Sequence, residues 1–440
     1  MADAAQAKDT ATIRKLIKEG GDVNAAQGDG MTALHHAALN GDAELASMLL
    51  YAGANVGAKT RIGGYTPLHL AAQIGHANVM AALIASGAQV SAPTTTGATA
   101  LMHAAHSGSA DAVRTLIENG ADPNVKETAN GQTALMFAAA SDRVDVVKLL
   151  IARGADIAAT SRVQDFSGLA VSSEVDQNGV PRQAEAAQRG DVPGVTRPFN
   201  YAERIGKHGG LAALHFAARQ GAMATADALL AAGADINQRA GDRTTPLIVA
   251  AVNGQFDFAS MLLDKGADPN LVSEAGMFPL YAVLNTQWQP RSFYPQPRAY
   301  LQQKIGYLEL LKKLLDKGAD PNARIYLKPW FTEYNFELLR TDDSGATAFW
   351  RAAWGADIAA MKMLVEYGAD PNIRTMKIAS NQFRQGGTRG GSDQDPLGRP
   401  PMVYGGPGAT PLIAVAGTGY SEGFAGNAHR YAPTGLLAAV

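Results

Sequence analysis

GMTALHHAALNGDAELASMLLYAGANV, residues 30–56, and GYTPLHLAAQIGHANVMAALIASGAQV, residues 64–90, are two versions of one pattern. Thr32 and Thr66 lie 34 residues apart, Thr66 and Thr99 lie 33 apart, and Thr99 and Thr133 again 34. Inside a copy, Thr32 precedes Gly53 by 21 residues, as Thr347 precedes Gly368. A fixed period of this size is the mark of a repeat architecture, so the repeat unit is the object to read first.

Working outward, the opening phrase returns as GATALMHAA at 97–105, GQTALMFAA at 131–139, GLAALHFAA at 210–218, RTTPLIVAA at 243–251 and GATAFWRAA at 345–353. GMFPLYAVL at 276–284 is a degenerate copy, and GATPLIAVA at 408–416 starts one more. The closing phrase Gly-Ala-Asp-x-Asn recurs at 120–124, 233–237, 266–270, 318–322 and 368–372. Each position has a physical reason. Thr32 and Thr66 are suited to cap a helix with their hydroxyls. Pro67, Pro246 and Pro411 follow at the first helical position, where a missing N–H costs nothing. Leu34, Ala37 and Ala38 form a narrow apolar stripe of helical period, and Leu45, Met48, Leu49 and Leu50 supply a second helix. Gly53, Gly87, Gly120 and Gly154 then occupy the left-handed position after that helix.

These two phrases, held in phase over about eight copies, resemble the ankyrin-repeat family over nearly the whole chain. The resemblance implies an all-α repeat solenoid of about nine repeats, each a helix pair followed by a β-hairpin or loop finger. It also implies that His35, His69 and His215 support the turn by hydrogen bonding. A partner protein would then bind on a concave surface of finger tips and first helices. No single repeat buries its own apolar face, so neighbours must stack.

On this reading residues 1–29 are an N-terminal capping repeat and 30–160 hold repeats one to four. Residues 161–209 are an inserted polar loop, and 210–285 hold repeats five and six with the first helix of the seventh. Residues 286–304 are an aromatic insertion inside repeat seven, and 305–323 its second helix. Residues 324–344 form an extended aromatic finger, 345–375 repeat eight, 376–407 a Gly/Pro-rich inserted loop, and 408–440 an incomplete C-terminal repeat. The four insertions are breaks in the period, and such breaks map to loops, often on a binding face.

The two middle insertions stand apart. Residues 286–304 and 324–343 hold nine of the 30 aromatics in 39 of 440 residues. Aromatics beside Arg are typical of binding hot spots, although a long loop also uses aromatics to build its own small core. The candidate contacts there are Trp288, Arg291, Phe293, Tyr294, Trp330, Phe331, Tyr334 and Arg340. On the finger tips they are Arg61, Tyr65, Thr95, Lys126, Arg239 and Arg243. Trp350 and Trp354 are expected to pack in the core, and Asp342 with Asp343 to form a solvated turn.

Composition narrows the function. A net charge of -2 attracts neither nucleic acid nor an anionic membrane. The absence of cysteine removes disulfides and thiolate chemistry. No apolar run is long enough to span a bilayer. No phosphate loop, nucleophile elbow or zinc-helix motif is present, and His103 with His106 lacks a third metal ligand. The expected role is a non-enzymatic protein-binding scaffold with no cofactor or metal. Two alternatives stand beside it: a small-molecule or peptide pocket walled by the aromatic insertions, and end-to-end self-assembly through the C-terminal repeat. The compartment is open, with cytoplasm the default and a periplasmic or secreted location if an export signal was removed. The alanine- and glycine-rich phrasing resembles bacterial ankyrin proteins.

Overall fold

A computed structural model describes residues 1–167, 205–288, 299–327, 343–376, 408 and 410–415. The remaining stretches hold Arg291, Phe293, Tyr294, Trp330, Phe331, Tyr334 and Arg340, which therefore lie outside the described residues. The chain divides into two compact units, Met1–Arg162 with Gly209–Gln238, and Val163–His208 with Arg239–Val440.

The first unit is built from helix pairs. They are α1 (Ala2–Gln6) and α2 (Thr10–Lys18), α3 (Ala33–Asn40) and α4 (Ala43–Tyr51), α5 (Pro67–Ile74) and α6 (Ala77–Ala85). Then come α7 (Ala100–Ser107) and α8 (Ala110–Glu118), and α9 (Ala134–Ala140) and α10 (Val144–Ala152). After an excursion into the second unit, where β1 (Val163–Asp165) pairs with β2 (Lys207–Gly209), the first unit resumes with α11 (Ala213–Gln220) and α12 (Met223–Ala231). Helices of this length are marginal alone in water, so packing holds them. First helices pack on first helices and second on second, α3 on α5 on α7 on α9 on α11 and α4 on α6 on α8 on α10 on α12. Leu34, Leu68, Leu101, Leu135 and Leu214 are buried in the same place of successive copies, as are Leu49, Leu83, Leu116, Leu150 and Leu229 of the second helices.

The second unit continues the pattern with α13 (Pro246–Val252), α14 (Phe256–Asp264), α15 (Pro279–Gln287), a 3-10 turn (Ala299–Gln302), α16 (Tyr307–Asp316), α17 (Ala348–Trp354), α18 (Ile358–Glu366) and α19 (Pro411–Val415). Here α13, α15, α17 and α19 stack in one row, and α14, α16 and α18 in the other. Both units are all-α repeat solenoids.

Capping follows the sequence closely. Thr32 Oγ1 accepts from the His35 amide at 3.4 Å, and the Thr32 amide donates to His35 Nδ1 at 3.2 Å. Thr66 and His69 repeat this geometry at 3.5 and 3.2 Å. In the fifth repeat Ala212 stands where the Thr would be, and its amide still donates to His215 Nδ1 at 3.2 Å. Gly53, Gly87, Gly120 and Gly154 all have φ between +84 and +91°, the left-handed region that stops the second helix.

Of the β-hairpin or loop fingers expected, most take the loop form. Among the described residues the strands are only β1 and β2, together with one isolated bridge between Arg324 and Thr347. The regular fingers close with one or two backbone bonds, such as Thr60 N–H to Tyr65 O (2.9 Å), or Thr94 N–H to Ala98 O (2.9 Å) with Gly97 N–H to Thr94 O (3.0 Å). Such short loops leave no length for a ladder within one finger. The bonding runs between fingers instead. Arg61 N–H donates to Asp29 O, Thr95 N–H to Gly63 O, Thr128 N–H to Thr96 O and Arg162 N–H to Asn130 O, at 2.6–2.9 Å.

Two insertions keep that neck intact. Ser161 N–H donates to Leu211 O (2.9 Å), and Ile325 N–H to Ala346 O (3.1 Å), so the extra chain grows from the tip of a finger without breaking the repeat. The insertion inside repeat seven is rooted elsewhere. Trp288 ends α15 against Gly355 of repeat eight, while on the return Tyr300 stacks on Phe256 of repeat six and Asp257 accepts from the amides of Lys304 and Ile305.

Asn side chains tie four of the copies to the next. Asn124 Nδ2 donates to Gly154 O (3.0 Å) while Asn124 Oδ1 accepts from the Asp156 amide (2.7 Å). Asn24, Asn270 and Asn322 make the same two bonds to the following repeat. One amide thus satisfies a helix-end carbonyl and a turn N–H that nothing else in the finger reaches. Asn124→Ala is expected to cost about 1–3 kcal/mol, two hydrogen bonds at 0.5–1.5 each. Urea unfolding measures it, and a cost near zero would show the bridge to be decorative.

Candidate protein-binding surface

The finger tips form the surface that the repeat leaves free of packing, while the first helices below them are almost entirely buried, with His103 and Phe137 half-exposed. Arg61, Thr95, Thr128 and Arg162 occupy equivalent tips, their backbone pinned by the preceding finger and their side chains exposed. Ile62 beside them is 83% exposed. Lys126 is also exposed, its Nζ reaching Thr160 O at 2.7 Å. Glu127 is the exception at 4% exposure, its carboxylate turned inward to accept from the amides of Ala129, Asn130 and Gln132.

Under the tips lies a row of rings. Tyr65 is half-buried, with its ring 5.6 Å from that of His103 and 6.2 Å from that of His69. His69 and His103 meet edge-on at 5.8 Å. His35 Nδ1 accepts from Thr32 N–H, so its Nε2 carries the proton and donates to Tyr65 O at 3.1 Å. His69 Nε2 reaches Ala92 O in the same way at 2.9 Å. Each of these histidines therefore spans from its own helix start to the next finger. Burial keeps them neutral: it lowers the pKa of His35 and His103 and, with the repulsion that a protonated His103 would add, brings His69 to about 4. His106 stands apart from the ring row, its Nδ1 2.7 Å from Ser141 Oγ. Among the described residues no group of three or more His, Asp or Glu is arranged to hold a metal. No helix there is long and apolar enough to cross a membrane.

In the second unit Arg239 and Arg243 are exposed on a finger, Arg243 in a left-handed turn with φ +65°. Trp288 is half-buried and engaged. Its Nε1–H donates to Asp357 Oδ2 at 2.9 Å, its ring meets Tyr307 edge-on at 6.3 Å, and its carbonyl accepts from Arg351.

The model of ankyrin repeats matches three times, over residues 1–94, 91–161 and 184–273, which is more than half of the chain, and a single ankyrin repeat matches residues 344–376. The chain belongs to the ankyrin-repeat family. An ankyrin repeat protein of Rickettsia felis is 33% identical over 113 residues, covering 26% of this chain and 45% of that protein. The potassium channel AKT1 of rice, in its indica and japonica forms, is 43% identical over 53 residues, 12% of this chain and 6% of the channel. The chain thus aligns with less than half of each of these relatives.

Against the ankyrin pattern, the seventh and eighth repeats carry a buried polar network that sequence reading missed. Tyr281 takes the usual His place and its hydroxyl donates to Asp343 Oδ2 at 2.6 Å, again linking a first helix to the next finger. Asp343 is 1% exposed, where a solvated turn was expected. The fold draws it inward because Tyr281 supplies the donor. Burial and that carboxylate push the Tyr281 hydroxyl pKa well above its ordinary value. Arg351 is fully buried, giving Nε to Asn285 Oδ1 (3.0 Å) and a terminal nitrogen to Trp288 O (2.9 Å), with its guanidinium 4.4 Å from the Trp354 ring centroid. Trp350 and Trp354 are buried beside it. Asp357 caps α18 through Oδ1 and holds Trp288 through Oδ2. The available signal was columnar: Arg351 stands where other copies carry His36, Leu70, His103, Phe137 or Phe216.

Proposed function

We propose that this chain is a protein-interaction scaffold whose partner contacts the finger tips and first-helix face of the first unit. Ankyrin repeats are in general protein–protein interaction modules. The observation that carries the reading here is the ladder of tips. Its backbone is fixed by inter-finger bonds, while Arg61, Ile62, Thr95, Thr128 and Arg162 differ in chemistry and take no part in the core. A rigid support with variable exposed side chains suits recognition, because little ordering entropy is lost on binding. Catalysis has no counterpart in this arrangement, and the chain is read as non-enzymatic.

Site-specific photocrosslinking in the native host tests it. A photoreactive residue at Ile62 or Thr95 is expected to capture a partner, and one at Tyr51, 97% exposed at the far end of α4, is not. Capture from Tyr51 alone would move the interface to the second helices.

A further inference from the structure

We infer that the partner segment is acidic and extended, lying along the finger tips from Lys59 to Arg162; this rests on the interaction reading above. The tips between residues 59 and 162 carry four exposed cations, Lys59, Arg61, Lys126 and Arg162. Their one carboxylate, Glu127, is spent on three backbone amides and presents no accepting edge to solvent. The chain as a whole has a net charge of -2, so this line of positive charge is a local concentration and not a reflection of composition. Asp29, one finger earlier, ends the run.

The geometry sets the length and character of the occupant. Arg61 and Arg162 are equivalent positions three repeats apart. At roughly 8–10 Å per packed helix, that is about 24–30 Å. An extended chain at ~3.3 Å per residue covers it in about seven to nine residues. Lys59 lies close enough to His69 for its charge to oppose protonation there, which puts the cation near the ring row. Alternate residues of an extended strand point opposite ways, so acidic side chains would meet the tips while apolar ones face Tyr65, His103 and Phe137. A basic line over a ring row would also accept a nucleic acid strand, so a thymidine strand enters the test as an outcome against the inference.

Three probes are used on the whole protein: a fluorescent ten-residue peptide alternating Glu with Leu and Tyr, the same peptide with Lys for Glu, and a ten-thymidine single strand. The acidic peptide is expected to bind, and to weaken severalfold as salt rises from 50 to 200 mM, as exposed charges are screened over a Debye length of about 8 Å at 0.15 M. Lys59→Glu, Arg61→Glu and Lys126→Glu together are expected to weaken it at least tenfold with the melting temperature unchanged. The same change at Lys15, Lys18 and Lys148, exposed on second helices, should not. Equal binding of the Lys peptide, indifference to the finger reversals, or preference for the thymidine strand would each overturn the inference. Photocrosslinking at Ile62 that still captures a partner in that event would leave the interaction reading standing; loss of both would remove it too.

Discussion

Replacing Arg351 with Ala is expected to destabilise the seventh and eighth repeats by about 3–6 kcal/mol, two hydrogen bonds from a charged donor at roughly 1.5–3 each. The guanidinium is fully buried, and its loss strands two acceptors, Asn285 Oδ1 and the Trp288 carbonyl. It also empties the space under the Trp354 ring, where the cation packs at 4.4 Å. Arg351→Met restores much of the volume but none of the donors, so it should fall between the parent and the Ala variant. The readout is favourable because three of the four tryptophans, Trp288, Trp350 and Trp354, border the network. Denaturant unfolding followed by tryptophan fluorescence, with hydrogen exchange on α17, separates these repeats from the rest. A loss below about 1 kcal/mol would mean that the network is no stronger than a surface pair.

Acid is expected to weaken the first unit through its neutral histidines. Burial holds His69 at about 4 in the folded state, against 6.5 for the free side chain. Between those values the unfolded chain binds more protons than the folded one. Stability is therefore complete above pH 6.5 and is lost as pH falls towards 4. A shift of this size corresponds to about 3 kcal/mol at 1.36 kcal/mol per unit. His35, His36 and His103 are lowered in the same direction, each first by burial, and add to the slope. Protonation also removes the lone pair with which His69 Nδ1 accepts from the Thr66 amide. His69→Met is the informative variant, since Met102 stands in that place two helices on and its sulfur receives the Thr99 amide at 3.4 Å. Urea unfolding at pH 7.5 and 4.5 should show a smaller acid loss in His69→Met than in the parent. An identical loss would place the acid sensitivity in the carboxylates.

Periodicity by itself determined the repeat, its helix pairs, the Thr caps and the glycine stops, because these depend on a few residues at short range and recur in every copy. The His35 and His69 roles were legible for the same reason, by way of the family resemblance. The column pattern left out what one copy does alone. Tyr281 in the His place, Asp343 turned inward and Arg351 in a column of uncharged residues each depend on residues some 60 positions away. Only tertiary packing brings those groups together, and it decides whether a charged side chain is a solvated surface group or a buried link. The same holds for the finger tips. Arg61 and Arg162 are unremarkable a hundred residues apart, and stacking at the helix-packing distance makes them two ends of one basic line.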